Sequence, residues 1–231
     1  MISTRSLPPY ATHYYGPDSP LYAPFDTSRG PEYHANPNLL AEQRITVRIP
    51  DAPVRRAGLV VTAALVDGKA GGPTGTLEYR LGAAGVALNG VALYSGVAAR
   101  GGDIQVEKYT FDDHEGHPDP QRSYHYHGAS KGPLAVLAAA GVVTRTAPGA
   151  AEVELYGVMC DGTWVLGCTE LDGAAPDPTG LDAQNGHGHA MSDAAGAVTL
   201  GERYHVHLCS AWAGPSRILT PEIQVHERCS P

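Results

Sequence analysis

The sequence predicts an all-β single domain with one or two short helices, built from a duplicated hairpin and strand unit with pseudo-two-fold symmetry, barrel- or sandwich-like in form. Three observations carry this. First, 28 Gly and 19 Pro make up about a fifth of the 231 residues, above the usual share, which favours turns over long helices. Second, short runs of alternating apolar residues recur along the chain. Third, several sequence blocks appear twice in the same order.

Residues 1–40 are rich in Pro and Tyr without a period, which suits an extended arm lying on a surface. Such an arm wraps its own domain or a second subunit, the latter giving a homodimer. The rest of the chain, 41–231, shows no composition shift and reads as one domain. Strands are expected at 43–49, where Ile45, Val47 and Ile49 alternate. Further ones are expected at 58–66, 76–81, 86–94, 104–110, 123–127, 152–158, 163–167, 203–208 and 222–227. The segment 133–140, PLAVLAAA, reads as a helix with Pro133 in its first turn and Gly141 ending it.

The repeat spans about 85–128 and 157–208. Gly85 to Tyr94 aligns without gaps on Gly157 to Leu166, and each stretch centres on Asn89-Gly90 or Asp161-Gly162. These pairs signal tight hairpins, expected as type I′ turns with positive φ at both central residues. The blocks Asp112 to His117 and Asp182 to His187 follow, sharing D-x-x-x-G-H. Then come Tyr124-His-Tyr-His127 and Tyr204-His-Val-His207.

Eight of the eleven histidines fall within 114–127 and 187–207. On a strand, alternate side chains share a face, so His125 and His127 point together, as do His205 and His207. The opposite faces carry Tyr124 with Tyr126 and Tyr204 with Val206, which suits a core. Two duplicated imidazole pairs point to a divalent transition metal, zinc, copper or iron, because imidazole ligates all three. His125, His127, His205 and His207 are the expected ligands, and related pairs brought near one axis would supply four imidazoles to one centre. His117 and His187 are further ligands or catalytic groups. Asp119 and His189 stand at matching places after the two Gly-His elements, so they are an expected acid/base pair. Asp112, Asp113, Asp119 and Asp182 are candidates to orient the imidazoles. A buried histidine network without any ligand accounts for the same spacing if the pairs serve packing alone.

The net charge of −8 and the absence of a basic cluster exclude the electrostatic footprint of nucleic-acid binding. No stretch reaches the length of a membrane span. The N-terminus lacks an apolar secretory core, so a cytoplasmic location is expected. Cys160, Cys168, Cys209 and Cys229 permit two disulfides, yet four in a chain of this size read as buried, reduced thiols rather than a disulfide scaffold. No P-loop or dinucleotide fingerprint is present.

The segments GHPDPQRSYHYHG (116–128), NGVALY (89–94), LDAQNGHGH and RYHVH resemble the YHYH family, a bacterial group largely of unknown function. The resemblance covers about residues 85–210. Many members are exported, whereas this chain shows no leader, and its second copy carries His-Val-His in place of His-Tyr-His. The resemblance therefore implies a variant pocket put to specialised metabolic use. The leading expectation is a small-molecule enzyme with a metal-dependent, histidine-lined pocket. The alternatives are a metal-free cyclase or isomerase using the same His and Asp groups, and a non-catalytic metal- or ligand-binding protein.

Overall fold

Alternating apolar segments pair into sheets in this computed structural model, which describes residues 1–50, 82–94, 104–182 and 184–209. Strands β1 (Ile2–Thr4) and β2 (Ile45–Val47) form a small antiparallel ribbon. The other eight are β3 (Ala83–Ala87), β4 (Ala92–Tyr94), β5 (Gly116–Pro118), β6 (Tyr124–Tyr126), β7 (Leu155–Met159), β8 (Trp164–Leu166), β9 (Gly186–Ser192) and β10 (Thr199–His207). They make one sheet in the order β5-β6-β4-β3-β7-β8-β10-β9. The β4/β6 and β8/β10 pairs are parallel and the rest antiparallel. The sheet is mostly β with an open course, its end strands β5 and β9 not pairing with each other, so it is not a closed barrel.

The two hairpins form where expected, but by a different turn. Gly90 and Gly162 have φ of 81° and 90°, while Asn89 and Asp161 are not in the left-handed region. The bonds Gly90 N–H to Ala87 O and Ala87 N–H to Val91 O define a type I turn closed by a glycine bulge, and Gly162 and Met159 repeat the pattern. Only the second position of each pair needs the freedom of glycine. At the sheet centre, Gly85 faces Met159 and Gly157 faces Ala87 across β3/β7. A Cβ on either glycine would strike the partner strand's backbone, so both must stay bare.

The expected strand at 104–110 is instead helical: α1 (Ile104–Glu107) followed by a 3-10 turn, Lys108–Thr110. Its alternation rested on Ile104 and Val106, and Val106 is 63% exposed, so no apolar face demanded a strand. The helix α2 (Lys131–Ala139) forms as read, with the Ser130 hydroxyl accepting from Gly132 N–H. Gly141 at φ 73° ends it. The strands expected at 58–66, 76–81 and 222–227 lie outside the described residues.

The tyrosine faces supply the core, with Tyr124, Tyr126 and Tyr156 fully buried among Val91, Leu93, Leu134, Met159, Val165 and Val206. The N-terminal segment lies against its own chain. Tyr14 is buried, the Tyr10 hydroxyl meets those of Tyr124 and Tyr126, and Thr12 donates to Asp112. Cys168 and Cys209 form a disulfide, which corrects the reading of these two as reduced thiols. Their strands run side by side in the β8/β10 pair, a neighbourhood that a 41-residue separation hides in the sequence. Cys160 is free and buried, and Cys229 lies outside the described residues. Among the described residues no helix is long and apolar enough to cross a membrane.

Candidate metal centres

Each D-x-x-x-G-H block folds into the same turn. The Asp112 carboxylate accepts from the N–H groups of His114 and Gly116 and from the Tyr124 hydroxyl at 2.7 Å. The Asp182 carboxylate accepts from Gln184 and Gly186 N–H and from the Tyr204 hydroxyl at 2.6 Å. The residue before each glycine, Glu115 or Asn185, is left-handed at φ 61° or 59°. Each glycine lies beneath its tyrosine, and a Cβ there would collide with the phenol. This turn delivers His117 opposite His125 across β5/β6, and His187 opposite His205 across β9/β10.

The histidines therefore gather into two clusters instead of one four-imidazole centre. His125 and His127 join His117, whereas His205 joins His187, His189 and Glu170, with His207 alongside. Strands β6 and β10 are five strand spacings apart in the sheet, roughly 24 Å along it at about 4.8 Å per spacing. Strand alternation placed each pair on one face but carried no information on the order of strands between the pairs.

In the first cluster the Nε2 atom of His125 lies 3.0 Å from that of His117 and 2.9 Å from that of His127. All three side chains are buried. The Thr110 hydroxyl donates its one proton to Glu107 O, so it accepts from His117 Nδ1 at 2.7 Å. His125 Nδ1 donates to Ser123 O at 2.9 Å. With the proton fixed on Nδ1, both neutral rings present bare Nε2 lone pairs to each other. Two lone pairs at 3.0 Å repel unless a cation sits between them. Burial works against a proton filling that role, lowering His117 well below the ordinary value and His125 to about 4. Tyr94 stacks on His125 with ring centres 3.7 Å apart, and Phe111 packs on His117 and His127.

The second cluster has the same chemistry around a carboxylate. His189, His205 and His207 direct Nδ1 at the carbonyls of Ala190, Arg203 and Gly167 at 2.8, 3.2 and 2.9 Å. Their Nε2 atoms face Glu170 at 3.5, 3.2 and 3.3 Å, and His187 Nε2 lies 3.0 Å from it. His205 Nε2 and Glu170 Oε2 are both buried, 3.2 Å from each other. Burial pushes the Glu170 carboxyl up, but the adjoining His205 and His207 imidazoles outweigh it and hold the group below the usual carboxylate range. His187 is lowered, first by burial and then by His205. A tetrahedral ion at about 2.0–2.1 Å from each nitrogen sets donors roughly 3.3–3.4 Å apart, close to these separations. The cluster is partly open, since the His189 side chain is 41% exposed.

Asp119 does not meet His189. It accepts from the Tyr94 hydroxyl at 2.9 Å and Ser123 N–H at 2.8 Å, so it braces the turn before β6 and the ring stacked on His125. Nor do carboxylates set the tautomers described above. Carbonyls and Thr110 do so, while Asp112 and Asp182 hold turns and Asp113 meets Arg29. Sequence reasoning missed Glu170, Glu107 and Thr110. Glu170 is fixed through Glu154, whose carboxylate accepts from Cys168 N–H and whose N–H donates to Thr169, and by the Cys168–Cys209 link. The run C-x-E two residues past a strand was its only sequence signal.

Fold and site together define a class: an open mixed β-sheet protein whose histidine clusters can hold metal ions. The model of the YHYH protein family matches residues 64–167, which contain the whole first cluster and end before the second. No curated protein and no solved structure matches the chain.

Proposed function

We propose that the protein is a metal-dependent small-molecule enzyme made of two copies of one unit, each binding a divalent transition metal such as zinc, copper or iron. The observation that carries the reading is the convergence of imidazole Nε2 atoms, with Nδ1 committed to carbonyl or hydroxyl acceptors, on one another and on Glu170. This is how histidine ligands are oriented in metal sites. The strand order and the register of β3 against β7 support a pseudo-two-fold axis passing between Val86 and Val158.

The clusters suit different tasks. The first is closed and aromatic-walled, which favours a structural ion. The second, with His187 and His189 partly exposed, favours the chemistry, where a bound ion would activate water or polarise a carbonyl. There His189, the most exposed of the rings, is the nearest group to move a proton. The disulfide favours an oxidising compartment over the cytoplasm. A non-catalytic metal-binding protein is the second reading, supported by the burial of the first cluster.

Titrating chelator-stripped protein with Co(II) tests this. The wild type develops ligand-field absorption saturating near two equivalents, and a His125→Ala/His127→Ala/His205→Ala/His207→Ala variant that keeps its circular dichroism develops none. A featureless titration of the wild type refutes metal binding. If a panel of hydrolysable and carbonyl substrates then shows no metal-dependent turnover, the binding-protein reading replaces the enzyme.

A further inference from the structure

Resting on that metal-binding reading, we infer that Glu107 supplies a fourth, anionic donor to the first centre, so that each copy holds its metal with histidines and one glutamate. Glu107 Oε1 lies 3.5 Å from His117 Nε2, and in the second centre Glu170 Oε1 lies 3.0 Å from Nε2 of His187, the ring that matches His117 in the repeat. Among the described residues it is the one carboxylate with an oxygen within 4 Å of a nitrogen of this cluster. The other described sides are closed by the rings of Tyr94 and Phe111.

The local structure ties Glu107 to the histidines. It ends α1, and its carbonyl accepts from the Thr110 hydroxyl that also receives His117 Nδ1–H. One threonine thus sets both the ring orientation of His117 and the position of Glu107. The placement in the chain agrees. Glu107 lies between β4 and the Asp112 turn, and Glu170 lies between β8 and the Asp182 turn. The offsets to the aspartates differ, five residues against twelve, so a gapless comparison of the copies does not align the two glutamates. Three neutral imidazoles and one carboxylate leave a divalent ion with one net positive charge. That mixed nitrogen and oxygen set suits zinc, iron(II) or manganese(II) better than copper(I).

The test uses the full chain carrying His205→Ala and His207→Ala to silence the second centre. Zn(II) affinity is measured by competition with a chromophoric chelator, and the Co(II) spectrum is recorded, with Glu107 intact and as Glu107→Gln and Glu107→Asp. Glu107→Gln is expected to weaken Zn(II) binding by about 10–100-fold, the scale seen on disturbing ligand support. It is also expected to shift the Co(II) bands, with Glu107→Asp restoring part of both. Unchanged affinity and spectrum in Glu107→Gln, while His125→Ala abolishes binding, would overturn the assignment and leave a three-histidine centre. No metal uptake even with Glu107 intact would defeat the metal reading of this centre itself, and the assignment with it.

Discussion

Replacing Thr110 by valine keeps the side-chain volume but removes the oxygen that accepts from His117 Nδ1 and donates to Glu107 O. His117 then loses the partner that fixes its tautomer, and metal affinity at the first centre is expected to fall by about 10–100-fold. Calorimetric titration of Thr110→Val with Zn(II) checks this, and affinity equal to wild type would show that the hydroxyl orients nothing. Acid acts through the same rings. His125 is held near 4 in the fold against an ordinary value of 6.5, so between those pH values the unfolded chain binds a proton that the folded chain refuses. Stability is therefore present above pH 6.5 and is lost as pH falls toward 4, by about 3 kcal/mol for this side chain, with His117 adding in the same direction. Urea midpoints of metal-free protein across this range should drop, and those of His125→Asn should drop less. Equal slopes would contradict the assignment. The histidines were legible at this scale because strand alternation places them on one face. Glu107, Glu170 and Thr110 were not, because their roles depend on loops whose course no periodicity encodes.

Turns and loops decide where those residues stand. Gly116 and Gly186 sit beneath Tyr124 and Tyr204, so Gly116→Ala or Gly186→Ala must displace a ring, fully buried for Tyr124 and partly buried for Tyr204, that also bonds an aspartate. Each is expected to cost about 1–3 kcal/mol by overpacking, read from denaturant midpoints, whereas alanine at Gly141 costs by backbone strain alone, since nothing lies within 4 Å. The Cys168–Cys209 link joins the loop carrying Glu170 to the end of β10 carrying His207. Reduction with a phosphine, or Cys168→Ser with Cys209→Ser, should weaken the second centre and leave the first unchanged. Equal loss at both would mean that the disulfide supports only global stability. The hairpins were readable from Asn-Gly and Asp-Gly, though their turn type was not, because a glycine bulge satisfies the same sequence. The segment 104–110 misled because two β-branched residues mimic alternation while Val106 faces solvent.

Across the molecule, the repeated blocks were legible in the sequence, and the strands that carry them lie on either side of β3/β7 in the sheet order. What the repeats did not convey is that equivalent histidines end far apart. A parallel neighbour pair, β4/β6 or β8/β10, carries each His-bearing strand away from the sheet centre, so the histidines form two clusters in place of one. The central claim is that these centres are separate and fill independently. Elemental analysis of protein purified without chelator tests it most directly, run on the wild type, on His117→Ala/His125→Ala/His127→Ala and on His187→Ala/His205→Ala/His207→Ala, each checked for native circular dichroism. The account predicts two metal ions per wild-type chain and one in each folded variant. Loss of all metal from either variant, or none in the wild type, would contradict it.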